Sequence, residues 1–140
     1  GNPHNLGAIM RSAAHFGVNA ILLPKESGLA NSGAAARVAE GGAEYVPLVR
    51  LGRNENAIAQ LKSTGFELVT TVVRGGGNLF KTALPKRCVL VMGAEQIGVD
   101  ADLVSASALK VEIPGSGKVD SLNVSAATAV LLAEWRRQTG

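Results

Sequence analysis

The chain has 140 residues, 46% of them apolar and 18% charged, with a net charge of +3. That length suits one domain with a full core and excludes a disordered chain. A pI near 9.4 favours anionic partners but falls short of a dedicated nucleic-acid binder with a basic tail.

Asn2-Pro3 offers an N-cap followed by proline at the first helical position. Leu6, Ile9, Met10, Ala13 and Phe16 then recur at helical spacing up to Gly17. His4, Arg11 and His15 fall together on the opposite side, where a solvated polar face is the plain reading. The chain enters this helix pattern without an opening strand, so residues 1–140 are expected to form one domain whose first strand precedes residue 1.

Ala20 to Leu23 reads as a short buried strand ending at Pro24, and Ser32 to Glu40 as a small-residue helix closed by Gly41-Gly42. Tyr45 to Val49 is a strand, Asn54 to Lys62 a helix ended by Gly65, and Glu67 to Val73 a strand rich in β-branched residues. Cys88 to Met92 is another apolar strand, Val111 to Ile113 a short last one, and Ser121 to Gln138 the final helix. This alternation predicts an α/β fold with a mainly parallel sheet and helices on both faces. No internal repeat or linker marks a domain boundary.

Aromatic residues are scarce, so Ala, Val, Leu and Ile must build the core. The single Cys88 closes no intrachain disulfide, and no Cys/His cluster offers a metal site, which makes a reducing cytoplasm the expected compartment. No signal peptide or membrane-length apolar run is visible.

Three glycine-bearing loops follow the carboxyl ends of predicted strands: Arg74 to Asn78, Gly93 to Gly98 and Gly115 to Gly117. In open α/β sheets ligands bind at that edge, although each such loop alone is more often just a turn. The last loop, in the run IPGSGKVDSLNVS from Ile113, is not a P-loop, because Glu112 and Val119 stand where glycine and a hydroxyl residue are required. No G-x-G-x-x-G joins a first strand to a first helix, so dinucleotide chemistry is disfavoured too. Taken singly, Glu95 is a helix N-terminal acid, Ser121 a helix cap and Asn123 a partner for nearby backbone.

Together the residues carry more. Asn5-x-Gly7-x-x-x-Arg11-x-Ala13, Gly93-x-Glu95-x-x-Gly98 and Ile113-Pro114-x-x-Gly117-x-x-x-Ser121-Leu122-Asn123-Val124-Ser125 resemble, in order and spacing, the three motifs of the SpoU/TrmH family of RNA 2'-O-ribose methyltransferases, in the SPOUT superfamily. Ala39 to Glu44 with Pro47 resembles that family's second-helix segment, so the resemblance covers essentially the whole chain. Gly115 stands where the family commonly has Met, and the family's Asp-bearing strand before the Asn-Pro pair is expected to precede residue 1.

The resemblance implies a deep C-terminal trefoil knot that periodicity cannot reveal. It implies S-adenosyl-L-methionine as cofactor, bound by Thr71, Val72, Gly93, Glu95, Ile113, Pro114, Gly117, Leu122 and Val124. It implies a catalytic centre of Arg11, Asn5, Glu95, Ser121 and Asn123, a homodimer completing each site, and tRNA or rRNA as substrate. Some family members carry a separate N-terminal RNA-binding domain, which here would lie outside these residues. The competing expectation is a non-catalytic knotted RNA-binding module; a small-molecule enzyme on a doubly wound sheet ranks third. Arg50, Arg53, Arg74, Lys81, Lys86 and Arg87 are candidate phosphate contacts without base specificity.

Overall fold

A computed structural model of the chain describes residues 3–23, 46–51, 54–92, 101–119 and 121–140. The helix expected from Ser32 to Glu40 lies outside them, as do Gly93, Glu95 and Gly98. In chain order the elements are α1 (Pro3–Phe16), β1 (Ile21–Leu23), β2 (Leu48–Arg50), α2 (Asn54–Ser63), β3 (Glu67–Thr71) and β4 (Gly77–Asn78). A 3-10 turn (Leu79–Lys81), β5 (Cys88–Val91), α3 (Ala101–Ala106), β6 (Leu109–Glu112) and α4 (Val124–Thr139) complete them. The fold is α/β with parallel strand pairing throughout the described residues.

Helix α1 ends because Gly17 takes a left-handed φ of 78°. Its N–H then bonds to Ala14 O and the Val18 N–H to Ala13 O, satisfying the last carbonyls of the helix. Strand β2 begins one residue past Pro47, later than the sequence pattern suggests. Proline has no N–H for a ladder, but its carbonyl accepts from Ile21 N at 2.9 Å and so aligns Ile21 with Leu48.

The larger sheet has the order β4-β6-β3-β5. Its centre is β3, where Leu68, Val69 and Thr70 have no exposed surface, so both faces are covered there. On one face Val69 and Val111 pack with Leu131 of α4, alongside Leu79 and Leu84. On the other, the Thr70 hydroxyl is hydrogen-bonded to the Ser107 hydroxyl just beyond α3, and α2 packs on α3. Helix α4 also joins Leu132 to Ala13 and Val46, tying α1 to the sheet.

Two short elements carry too little pattern to be read from sequence. Helix α3 has six residues, fewer than two turns, and β4 is the dipeptide Gly77-Asn78. Strand β6 spans Leu109–Glu112, earlier than the apolar run from Val111, because Lys110 is exposed and the strand alternates. Strands β3 and β5 stop at Thr71 and Val91, short of Val73 and Met92. The final helix starts at Val124 instead of Ser121, since Asn123 takes the cap with an extended backbone, φ −66° and ψ 161°.

The far end of α4 is anchored by polar contacts. Glu134, whose side chain is 6% exposed, accepts both Nε and Nη2 of Arg137, at 2.8 and 2.7 Å. Gln138 Nε2 also donates to Glu134 and to Thr82 O, while Gln138 Oε1 accepts from Leu84 N. Hydrogen bonds from Arg137 and Gln138 hold the Glu134 carboxyl down at about 2. Residues 82–84 are thereby fixed against the helix that follows β6.

Candidate functional site

Three parallel strands, β5, β3 and β6, end side by side at Val91, Thr71 and Glu112. Thr71 Oγ1 donates to Val91 O at 3.1 Å and lies 3.9 Å from Met92 Sδ, which closes β3 against β5. On its other side the Val72 N–H donates to Val111 O at 2.9 Å, extending the β3–β6 ladder by one bond. Of the cofactor residues the resemblance implies, Thr71, Val72, Ile113 and Pro114 therefore come together at this carboxyl edge.

The chain does not turn back after Val72. Residues 72–76 pass over β6 and deliver Gly77 to its far side, where β4 pairs with Val111 and Glu112. The crossing is close: a Cβ on Gly76 would lie 2.8 Å from the Val111 carbonyl carbon and 3.0 Å from that of Lys110. Only a residue without Cβ lets the two main chains touch like this. The Gly76 N–H donates to Glu112 Oε1 at 2.9 Å, which fastens the crossing on the β6 side. Sequence reasoning noticed the Gly75-Gly76-Gly77 run but missed Glu112; its signal was a carboxylate ending a strand beside a glycine-rich loop.

Beyond β6 the loop from Ile113 stays open. Gly117 has φ 86°, and a Cβ on Gly115 or Gly117 would meet no atom of the described residues within 4 Å. Ile113 is half-buried against the core, Pro114 to Val119 are exposed, and Ser116 Oγ accepts from Lys118 N at 3.2 Å. Two apolar side chains at this loop, Val119 (72% exposed) and Leu122 (48%), are not covered by the described chain. Bare backbone beside uncovered apolar groups suits a small planar or aliphatic ligand group that takes hydrogen bonds from main chain.

Of the expected catalytic residues, Asn5, Ser121 and Asn123 lie at helix ends that approach the same edge, while Glu95 is outside the described residues. Ala13 and Leu132 share one cluster, and Arg136 Nη2 lies 2.7 Å from where a Cβ on Gly17 would stand. Helices α1 and α4 thus run side by side in the same direction. The carboxyl end of α4 is at the start of β5, where Trp135 Nε1 donates to Lys86 O, so the amino ends of both helices lie toward the carboxyl edge of the sheet. Asn5 is in the first turns of α1, and Asn123 caps α4. Asn123 Oδ1 accepts from Ala126 N at 2.8 Å and from Ser125 Oγ at 3.0 Å, which leaves its amide hydrogens as the groups to offer a ligand. Ser121 is exposed ahead of that cap, and half-buried Val124 opens the helix. Arg11 is exposed on α1, about 9 Å along the helix axis from Asn5 at 1.5 Å per residue. Its side chain therefore lies at the surface, outside this chain's core.

Among the described residues no three His, Cys, Asp or Glu side chains gather to hold a metal ion. No described helix is long and apolar enough to cross a membrane.

Known proteins share both the sequence and this arrangement. Residues 1–133 match the model of the SpoU rRNA Methylase family. An uncharacterized tRNA/rRNA methyltransferase, YfiF, of Escherichia coli O157:H7 is 46% identical over 98% of this chain and 39% of its own length. The 23S rRNA (guanosine-2'-O-)-methyltransferase RlmB of Salmonella typhi is 38% identical over 98% of this chain and 56% of its own. The AdoMet-bound rRNA methyltransferase from Sinorhizobium meliloti superposes with a TM-score of 0.85 at 31% identity, covering 97% of this chain and 52% of that one. The chain thus spans about half the length of such relatives, or less. With motifs, topology and a match over nearly every residue in agreement, the chain belongs to the SpoU rRNA methylase family.

Proposed function

We propose that this chain is the methyltransferase domain of an S-adenosylmethionine-dependent RNA 2'-O-ribose methyltransferase acting on tRNA or rRNA in the cytoplasm. The observation that carries the reading is that two of the implied cofactor-binding segments far apart in sequence, at Thr71-Val72 and Ile113-Pro114, meet at one sheet edge in a chain matching the family over residues 1–133. The AdoMet complex of the Sinorhizobium meliloti relative supports the choice of cofactor.

The residues present fit that cofactor. Thr71, Val72, Ile113, Pro114 and Gly117 would hold it through main chain, with Leu122 and Val124 supplying apolar contact and Gly93 and Glu95 contributing from the segment after β5. Bound there, the cofactor supplies an electrophilic methyl group on a sulfonium. This chain's part is to bring a ribose 2'-hydroxyl into line with it and to exclude water. Arg11 clamps the phosphate beside the target ribose, since a guanidinium is a fixed, forked donor. Ser121 and the Asn123 amide arrange the hydroxyl or a water, and Asn5 and Glu95 complete the proposed catalytic set. Because Arg11 lies at the surface, a second copy of the chain completes the site, which makes the working form a homodimer.

The crossing of residues 72–76 over β6 also supports a C-terminal trefoil knot. With β6 threaded between β3 and β4, the chain beyond Ile113 would pass beneath that crossing before forming α4.

The test is calorimetry with S-adenosylmethionine followed by labelled methyl transfer to total RNA, for the parent and for Arg11→Lys. The variant is expected to bind cofactor within about twofold of the parent and to lose about 100-fold in turnover, the scale of a misplaced reactant. Equal methylation by Arg11→Lys overturns the role of Arg11. Cofactor binding without methylation of any RNA by the parent favours a non-catalytic RNA-binding module instead.

A further inference from the structure

Glu112 belongs to none of the motif residues, yet it stands where the two walls of the candidate site meet. It is the last residue of β6, half-buried, and its Oε1 accepts from the Gly76 N–H at 2.9 Å. The next residue, Ile113, starts the glycine-bearing loop. Residues 75–77 are all glycine, so this stretch of the crossing has no side chain with which to grip β6. Among the fastenings of the crossing are Val72 N to Val111 O at its start, the Glu112 bond at its end, and the short β4–β6 pairing that follows. A carboxylate accepting from a backbone N–H is a charge-assisted bond, stronger than the neutral kind.

We propose that Glu112 is a positioning residue for cofactor binding, a latch that fixes the spacing between the 72–76 crossing and the Ile113–Gly117 loop. The proposal rests on the reading that these two segments hold S-adenosylmethionine. Glu112 touches neither the methyl group nor the ribose; it acts through the backbone it holds. Removing the carboxylate leaves the Gly76 N–H without its partner and lets the crossing lift from β6, which widens the site on one side. Glutamine keeps a carbonyl oxygen at the same reach and so retains the latch, whereas aspartate is one methylene too short.

The experiment compares the parent with Glu112→Ala, Glu112→Asp and Glu112→Gln by calorimetry with S-adenosylmethionine, and by amide exchange and amide chemical shifts without it. Glu112→Ala is expected to bind cofactor about tenfold more weakly, as the loss of one charge-assisted bond implies, with KM for RNA unmoved and Glu112→Gln within about twofold of the parent. Without cofactor, the Gly76 amide in Glu112→Ala should exchange at least about tenfold faster, and the Gly115 and Gly117 resonances should shift. Glu112→Asp gives the same direction if the alanine variant does not fold. The latch is overturned if folded Glu112→Ala or Glu112→Asp binds cofactor as tightly as the parent, or if Gly76 exchange is unchanged. Failure of the parent itself to bind cofactor overturns the underlying reading of the site and the cofactor role with it, and the exchange data then decide separately whether Glu112 holds the crossing.

Discussion

Replacing Gly76 by alanine tests the crossing at its tightest point. The new Cβ would stand 2.8 Å from the Val111 carbonyl carbon, 2.9 Å from Val72 Cγ2 and 3.0 Å from the Lys110 carbonyl carbon. Carbon atoms rest about 3.5–4.0 Å apart, so relief needs a shift of about 0.7 Å away from β6. Two of the three obstacles are backbone of a central strand and cannot swing aside. Moving the loop instead stretches the 2.9 Å bond from Gly76 N to Glu112 toward about 3.6 Å, where it is no longer a hydrogen bond. Overpacking costs about 1–3 kcal/mol and a lost bond to a charged acceptor about 1.5–3 kcal/mol. Because one displacement produces both, the terms overlap, and a net loss of about 3 kcal/mol is expected. For a domain of this size that lowers the melting temperature by about 12 °C. Thermal and urea unfolding followed through Trp135, the only tryptophan, reads it directly. Gly115→Ala is the control, since a Cβ there meets no described atom within 4 Å, and it should stay within about 0.5 kcal/mol of the parent. A Gly76→Ala melting point within about 2 °C of the parent would refute a crossing in contact with β6.

The cap and the buried carboxylate make separate expectations. Asn123→Ala should lose about 1 kcal/mol from the missing cap, whereas Asn123→Asp keeps an acceptor for the Ala126 N–H and should melt with the parent. If Asn123 also offers its amide hydrogens to substrate, Asn123→Asp loses methyl transfer at unchanged stability; undiminished transfer would leave it a cap alone. Glu134 is held at about 2 in the fold against an ordinary 4.5, so it stabilises above pH 4.5 and that contribution fades as pH falls toward 2. The urea midpoint of the parent should therefore drop more steeply than that of Glu134→Gln between those values, and parallel curves would contradict the assignment.

The sequence made some of this legible and not the rest, for reasons that lie in particular residues. Helix α1 and strands β3 and β5 were readable because apolar spacing and β-branched runs report burial directly. Helix α3 and β4 were not, since six residues and a Gly-Asn pair are too short to carry a period. Glycine loops pointed to the carboxyl edge, but their grouping needed the family resemblance, because a turn and a ligand loop use the same residues. Asn123 is the sharpest case: its side chain oxygen does cap α4, as ordinary backbone chemistry suggests, while its amide hydrogens remain the feature a catalytic role would use. The two readings were never exclusive, since one carboxamide has two ends.

What no local pattern could reveal is the order β4-β6-β3-β5, in which the last strand enters between two that precede it by some 40 and 30 residues. Hydrophobic periodicity says that β6 is buried, not between which neighbours. The insertion requires one main chain to cross another at contact distance, and the chain meets that demand with a residue lacking Cβ at position 76 and a carboxylate at 112 to hold it. A glycine run after a strand and a charged residue at a strand's end are each unremarkable in isolation. Their joint presence is explained by the crossing, and the Val72 N–H bond to Val111 O at its start sets Val72 beside the end of β6, from which Ile113 follows, so that topology itself assembles the edge where the cofactor is proposed to bind.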